Sequence, residues 1–169
     1  MELTEGLLTR RSVRVFSNEK VSQKTVDELI KAGMFAPSAR NQQPWVFVTT
    51  TNAETLNKIS ESVSTAKMAA GAAFAVAVCV DVSVLTSPDY AMQDCSACVQ
   101  NILLAAHAKG LGAVWVGMHP KEDRERAVRD VFSIPSDVPV AALIVGGVPA
   151  EKLPVVDRFK TDKIRHERW

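Results

Sequence analysis

The sequence predicts an α+β (α/β layered) domain, and three observations carry that expectation. Stretches with helical spacing alternate with short β-branched or apolar runs along the chain. Two of those runs, Phe74–Val80 and Val140–Val145, are continuously apolar, as strands buried on both faces are. The stretch Asp89–Lys109 is apolar around nearly its whole circumference, so it belongs in the middle of something, and in so small a domain that includes a second subunit.

The elements follow in order. Ser22–Phe35 places Val26, Leu29, Ile30 and Met34 at spacings of three and four behind a Ser22 cap, which predicts a helix. Trp45–Thr51 is β-branched and follows a proline, so it reads as a strand. Ala53–Val63 puts Leu56, Ile59 and Val63 on one side of a helix. After the Phe74–Val80 strand comes the long helix, ended by Gly110 as its cap. Ala113–Gly117 is a strand, Lys121–Val131 a charged surface helix, and Val140–Val145 the last buried strand. Residues 149–169 have little core-forming pattern and read as a tail that docks on a neighbour.

Length and composition bound the function. At 169 residues the chain is expected to be a single domain over 1–169, with no linker or internal repeat to divide it. Twenty lysines and arginines against nineteen acids leave a net charge of +1, which does not suggest a nucleic-acid binder or a polybasic membrane protein. The stretch Arg158–Trp169 holds only five basic residues with two acids. MELTEGLLTRR lacks the apolar core of a secretory signal, and Ala66–Val80 is too short for a membrane span and interrupted by Lys67 and Gly71. With three cysteines that cannot all pair, a reducing cytoplasm is the expected compartment.

Several chemistries find no support. There is no phosphate-binding G-x-x-x-x-G-K-[ST] and no G-x-S-x-G. Gly110-Leu111-Gly112 lies between a helix and a strand in the order opposite to a dinucleotide fingerprint. His107, His119 and His166 are far apart and read as structural, no metal site is expected, and Cys95 and Cys98 fall inside the apolar helix, where they read as core.

Two segments stand out. Arg10-Arg11-Ser12-Val13-Arg14-Val15-Phe16 gathers three guanidiniums; if extended, it turns Arg10, Ser12 and Arg14 to one face and Arg11 to the other. By itself it reads either as a solvated basic strand, the favoured reading, or as an anion site. Ala36–Trp45 is a loop dense in amides between a helix and a buried strand, either an ordinary turn or a polar edge for a heterocycle.

Taken together, RRSVRVF (Arg10–Phe16), APSARNQQPWVF (Ala36–Phe47), AMQDCSACVQNILLAAHAKGLGAVWVG (Ala91–Gly117) and DRFKTDKIRHERW (Asp157–Trp169) resemble the short form of the FMN-dependent nitroreductase family, over essentially the whole chain. The resemblance implies a mixed, mainly antiparallel sheet wrapped by helices in an intertwined homodimer, with residues 149–169 embracing the partner. It implies FMN as cofactor and NADH or NADPH as electron donor. Arg10, Arg11, Ser12 and Arg14 would hold the phosphate, ribityl chain and pyrimidine edge, with Arg14 stabilising the reduced flavin. Pro37, Ser38, Ala39 and Asn41 would lean over the flavin from the partner subunit. Val116 and Gly117 match the strand end near flavin N5, and Arg158 and Lys160 the basic residues of the tail.

The activity implied is hydride transfer from NAD(P)H, by way of the flavin, to a small electron-poor acceptor such as a nitroaromatic or quinone. No dedicated acid or base stands out, so protons are expected from water. Longer family members insert a helical segment where this chain has only Ala53–Gly71, so their substrate preferences do not transfer. The alternatives are a related flavoprotein with another acceptor (a dehalogenase, an enone or pteridine reductase) and an FMN carrier or redox sensor with little turnover.

Overall fold

A computed structural model describes residues 1–169. Its four strands, β1 (Trp45–Thr50), β2 (Phe74–Val80), β3 (Gly112–Gly117) and β4 (Val140–Gly147), form one antiparallel sheet in the order β1-β2-β4-β3. The only parallel pairing is an isolated bridge from Ser12 to Ala113. β2 and β4 are central, which is why their apolar runs are unbroken: every residue of β2 is buried. β1 was expected to be buried, but it is an edge strand, and Val46 is 43% exposed.

Five helices cover the sheet: α1 (Leu3–Thr9), α2 (Gln23–Gly33), α3 (Ala53–Ser62), α4 (Ala91–Ala108) and α5 (Glu122–Phe132). The Ser22 side chain accepts from the Thr25 N–H at 3.1 Å and starts α2; Asn52 does the same for α3 through Thr55. Gly110, at φ +75°, turns the chain out of α4. One face of the sheet packs on α2 and α4, through Phe74, Val76, Val78, Val99, Ile102 and Ile144. The other packs on α3 and α5, through Ala75, Ala77, Ile59, Val116, Val128 and Leu143. Gly33 lets α2 and α4 cross closely, since a Cβ there would stand 2.7 Å from Ile102.

Three features depart from the sequence reading. α1 carries no helical apolar pattern strong enough to announce it, and Leu3, Leu7 and Leu8 on it are exposed. α5 is not merely a charged surface helix: it buries Glu125 and Arg129 beside Val128. α4 begins at Ala91, after a short 3-10 turn over Pro88–Tyr90, and buries one side; along its outer side Ser96, Ala97, Gln100 and Leu104 remain half-buried. From Pro154 to the end every residue is exposed, and only Thr161–Lys163 forms a regular turn. No helix is long and apolar enough to cross a membrane.

Candidate functional site

The basic segment is held in place at both ends. The hydroxyl of Thr9, the last residue of α1, lies 2.9 Å from His107 Nε2 near the end of α4. Beyond Arg10 the chain reaches β3, where the Val13 N–H donates to the Ala113 carbonyl at 3.1 Å. Val13 turns inward against Gly112, whose missing Cβ makes room: one built there would lie 2.7 Å from Val13. With Val13 buried, Ser12 remains half-exposed and Arg14 exposed, the alternation of an extended chain.

Arg11 donates to the carbonyl of Pro154 and so draws the tail across the segment. Arg158 then comes close to Arg10. Partial burial, and after it the like charges of Arg158 and Arg11, pull the Arg10 guanidinium below its ordinary value. None of the three guanidiniums is in an ion pair. Arg10 and Arg158, with Leu7, Gln100, Phe159 and the carboxylate-bearing Asp157, line a cavity of about 500 Å³ there. Lys160 is exposed. Three gathered cations outside any ion pair make the local field positive, which attracts anions.

The amide-rich loop is anchored elsewhere. Arg40, Asn41 and Gln43 all sit at left-handed φ values (50°, 56° and 46°), which non-glycine residues adopt at a cost. Asp94, in the first turn of α4, accepts from the Ala39 N–H at 2.9 Å and from Gln42 Nε2 at 2.6 Å. Gln42 Oε1 accepts from the Thr86 and Ser87 N–H groups, at 3.1 and 3.0 Å. Ser38 Oγ accepts from the Gln43 N–H at 3.0 Å. The buried amide is fully used, and the loop's outer surface (Pro37, Arg40, Asn41) is left exposed.

Within one chain these two segments do not meet. The loop is tied to α4 at Asp94 and the basic segment at His107, roughly 20 Å apart along a helix rising 1.5 Å per residue. Arg10, Arg11, Ser12 and Arg158 are brought together; Pro37, Ser38, Ala39 and Asn41 are not among them. Val116 and Gly117 end β3, roughly 16 Å along the strand from Gly112. The Val116 side chain points into the core with α3 and α5, so only its backbone is available to a ligand, whereas Gly117 faces open space.

The sequence reading missed a dyad near Gly117. His119 Nδ1 lies 3.0 Å from Glu125 Oε1, and Glu125 Oε2 accepts from the Val140 N–H at 2.9 Å. Arg129 flanks the same carboxylate at 3.6 Å and reaches Glu122 at 2.5 Å. Burial on α5 was the missing signal: charged residues at helical spacing with Val128 read as solvated. Cys79, Cys95 and Cys98 are all buried, and desolvation pushes each thiol up to about 12, so the core reading of Cys95 and Cys98 stands.

A helix-wrapped antiparallel sheet with a cluster of unpaired cations beside an edge strand is the arrangement to compare with known proteins. The chain belongs to the nitroreductase family, whose model matches residues 7–83 and 66–147. An Archaeoglobus fulgidus protein provisionally named NADH dehydrogenase/NAD(P)H nitroreductase is 39% identical over 99% of both chains. The crystal structure of a Parabacteroides distasonis protein with the same provisional name superposes with a TM-score of 0.92, at 36% identity over 98% of each chain. A provisionally named nitroreductase of Desulfovibrio desulfuricans, solved in complex with FMN, matches with a TM-score of 0.84 at 27% identity, covering 100% of this chain and 98% of its own.

Proposed function

We propose that this protein is an FMN-dependent oxidoreductase that takes hydride from NADH or NADPH and passes the electrons to an electron-poor acceptor, a nitroaromatic or a quinone, as a homodimer. The observation that carries the reading is the meeting of Arg10, Arg11 and Arg158, none of them in an ion pair although Asp157 lines the same cavity. A phosphate monoester supplies the charge they lack, and Ser12 adds a hydroxyl beside it. When bound, FMN supplies the hydride chemistry.

The remaining work falls to the chain. Arg10 and Arg158 hold the phosphate, with Arg11 fixing the tail so that Arg158 stays in place and Lys160 adding charge further along it. Arg14, exposed and unpaired, provides fixed positive charge for the pyrimidine edge. Gly117 leaves space for a ring against the end of β3. A second copy completes the site: two α4 helices packed antiparallel bring the Pro37–Asn41 loop of one chain to the basic segment of the other. The half-buried outer side of α4, the exposed leucines of α1 and the uncovered tail are the surfaces such a partner buries.

The visible spectrum of the purified protein tests this directly. Flavin absorbance that is released on denaturation, and bleached by NADH or NADPH and restored by a quinone, is the expected result. A colourless protein that takes up no added FMN overturns it.

A further inference from the structure

We infer that Arg40 recognises the reductant: from one subunit, its guanidinium meets a phosphate of the nicotinamide dinucleotide at the other subunit's site. The inference deepens the proposed function and rests on it for the flavin and for the second copy.

Two observations single out this side chain. Arg40 stands at φ 50°, in the left-handed region where glycine or asparagine is at home and an arginine is held at a cost. The guanidinium gives its own chain nothing in return, being exposed, in no ion pair and without a hydrogen bond. The backbone beneath it is nevertheless held firmly. Asp94 accepts from the Ala39 N–H, the Gln42 amide is engaged at both ends, and Ser38 Oγ accepts from the Gln43 N–H. A buried polar network thus fixes a conformation whose outward product is a free cation.

Charge decides what that cation meets. The proposed reaction brings three molecules to the site: FMN, an acceptor and a dinucleotide. A phosphate monoester carries a charge of about −1.5 to −2 at neutral pH. Arg10, Arg158 and Lys160 answer that charge even with Asp157 beside them. Arg11 is engaged with the Pro154 carbonyl, and Arg14 serves the pyrimidine edge. A quinone or a neutral nitroaromatic has no charge to be matched. The dinucleotide remains, with a pyrophosphate and, in NADPH, a 2′-phosphate for which no cation is otherwise provided. The planar fork of an arginine suits either group. The loop that carries Arg40 is the one the second copy brings to the site, so the contact is made across the subunit boundary.

Arg40→Asn in the flavin-loaded protein tests this, because asparagine tolerates the left-handed position and the fold is kept. In stopped-flow reduction the dissociation constant of NADPH is expected to rise about five- to tenfold, the scale of one exposed charge-assisted contact, while the limiting rate is kept. Calorimetric binding of NADP⁺, which needs no turnover, is expected to weaken by the same factor and to lose part of its salt dependence. Arg40→Lys, which keeps the charge without the fork, is expected to recover most of the affinity. A loss confined to NADPH assigns the contact to the 2′-phosphate, and an equal loss for NADH assigns it to the pyrophosphate; either result supports the inference. Dinucleotide affinities within about twofold of the native protein's overturn it. So does a weakened hold on FMN, which would make Arg40 a flavin ligand, or a loss confined to 4-nitrobenzoate, which would make it a contact for anionic acceptors. All of these are read in a protein that still takes up flavin; a chain that takes up none overturns the proposed function instead.

Discussion

Gln42 Nε2 donates to Asp94 Oδ2 across 2.6 Å, joining side chains 52 positions apart that are both buried. The pair fixes a loop whose Arg40, Asn41 and Gln43 would otherwise relax from their left-handed conformations. Its carboxylate lies in the first turn of α4, where the helix dipole favours negative charge.

Breaking this pair is expected to be costly. Asp94→Ala strands the Ala39 N–H and half of the Gln42 amide, at about 2–4 kcal/mol of stability by urea unfolding. Gln42→Glu sets carboxylate against carboxylate and is expected to cost a similar amount. The exchanged pair, Gln42→Glu with Asp94→Asn, restores an amide facing a carboxylate and recovers much of the loss. Costs that simply add would mean that the two side chains are not coupled.

Arg10 and Arg14 are expected to act differently on a bound flavin. Arg10→Ala weakens FMN by about 1.5–3 kcal/mol, roughly 10- to 150-fold in dissociation constant, and leaves the potential of any bound flavin unchanged. Arg14→Ala holds oxidised FMN but lowers its two-electron potential by about 30 mV, equivalent to about 1.4 kcal/mol. Equal losses of affinity without a shift in potential would reduce the segment to a basic patch.

Removing residues 154–169 takes away Arg158 and Lys160 and the Pro154 carbonyl that Arg11 engages. Loss of flavin and a weakened dimer are expected together, by absorbance and analytical ultracentrifugation. A full-length chain that sediments as a stable 18.4 kDa monomer at micromolar concentration would refute the dimer.

The buried thiols set an alkaline limit. Cys79, Cys95 and Cys98 hold their protons up to about 12 when folded, against 9.0 for the ordinary thiol. Between those values the unfolded chain has lost protons that the folded one keeps, so stability falls as pH rises above 9.0, by up to about 1.4 kcal/mol per pH unit for each thiol. Urea titrations at pH 8, 9, 10 and 11 are expected to show a flat and then a falling midpoint, and a flat midpoint throughout would refute it. A thiol reagent at pH 8 is expected to label none of the three before unfolding.

The sequence by itself determined the elements whose patterning is local. β2 was legible because burial on both faces leaves no polar residue between Phe74 and Val80. α2 announced itself through Ser22 and its period, and α4 through its apolar length and Gly110. The motifs of the basic segment and the amide loop were visible for the same reason, each being contiguous. Tertiary structure alone decided what depends on separation in the chain. That β1 lies at an edge beside β2 is set by which strands pair, although its closing Thr49 and Thr50 already set it apart from the unbroken apolar runs of β2 and β4. Arg158 joins Arg10 only because the tail folds back to Arg11, and Glu125 becomes the partner of His119 only because α5 docks where Val140 needs an acceptor. Burial is a property of the packed molecule, and it turns charges that look solvated along α5 into the partners of an oriented histidine.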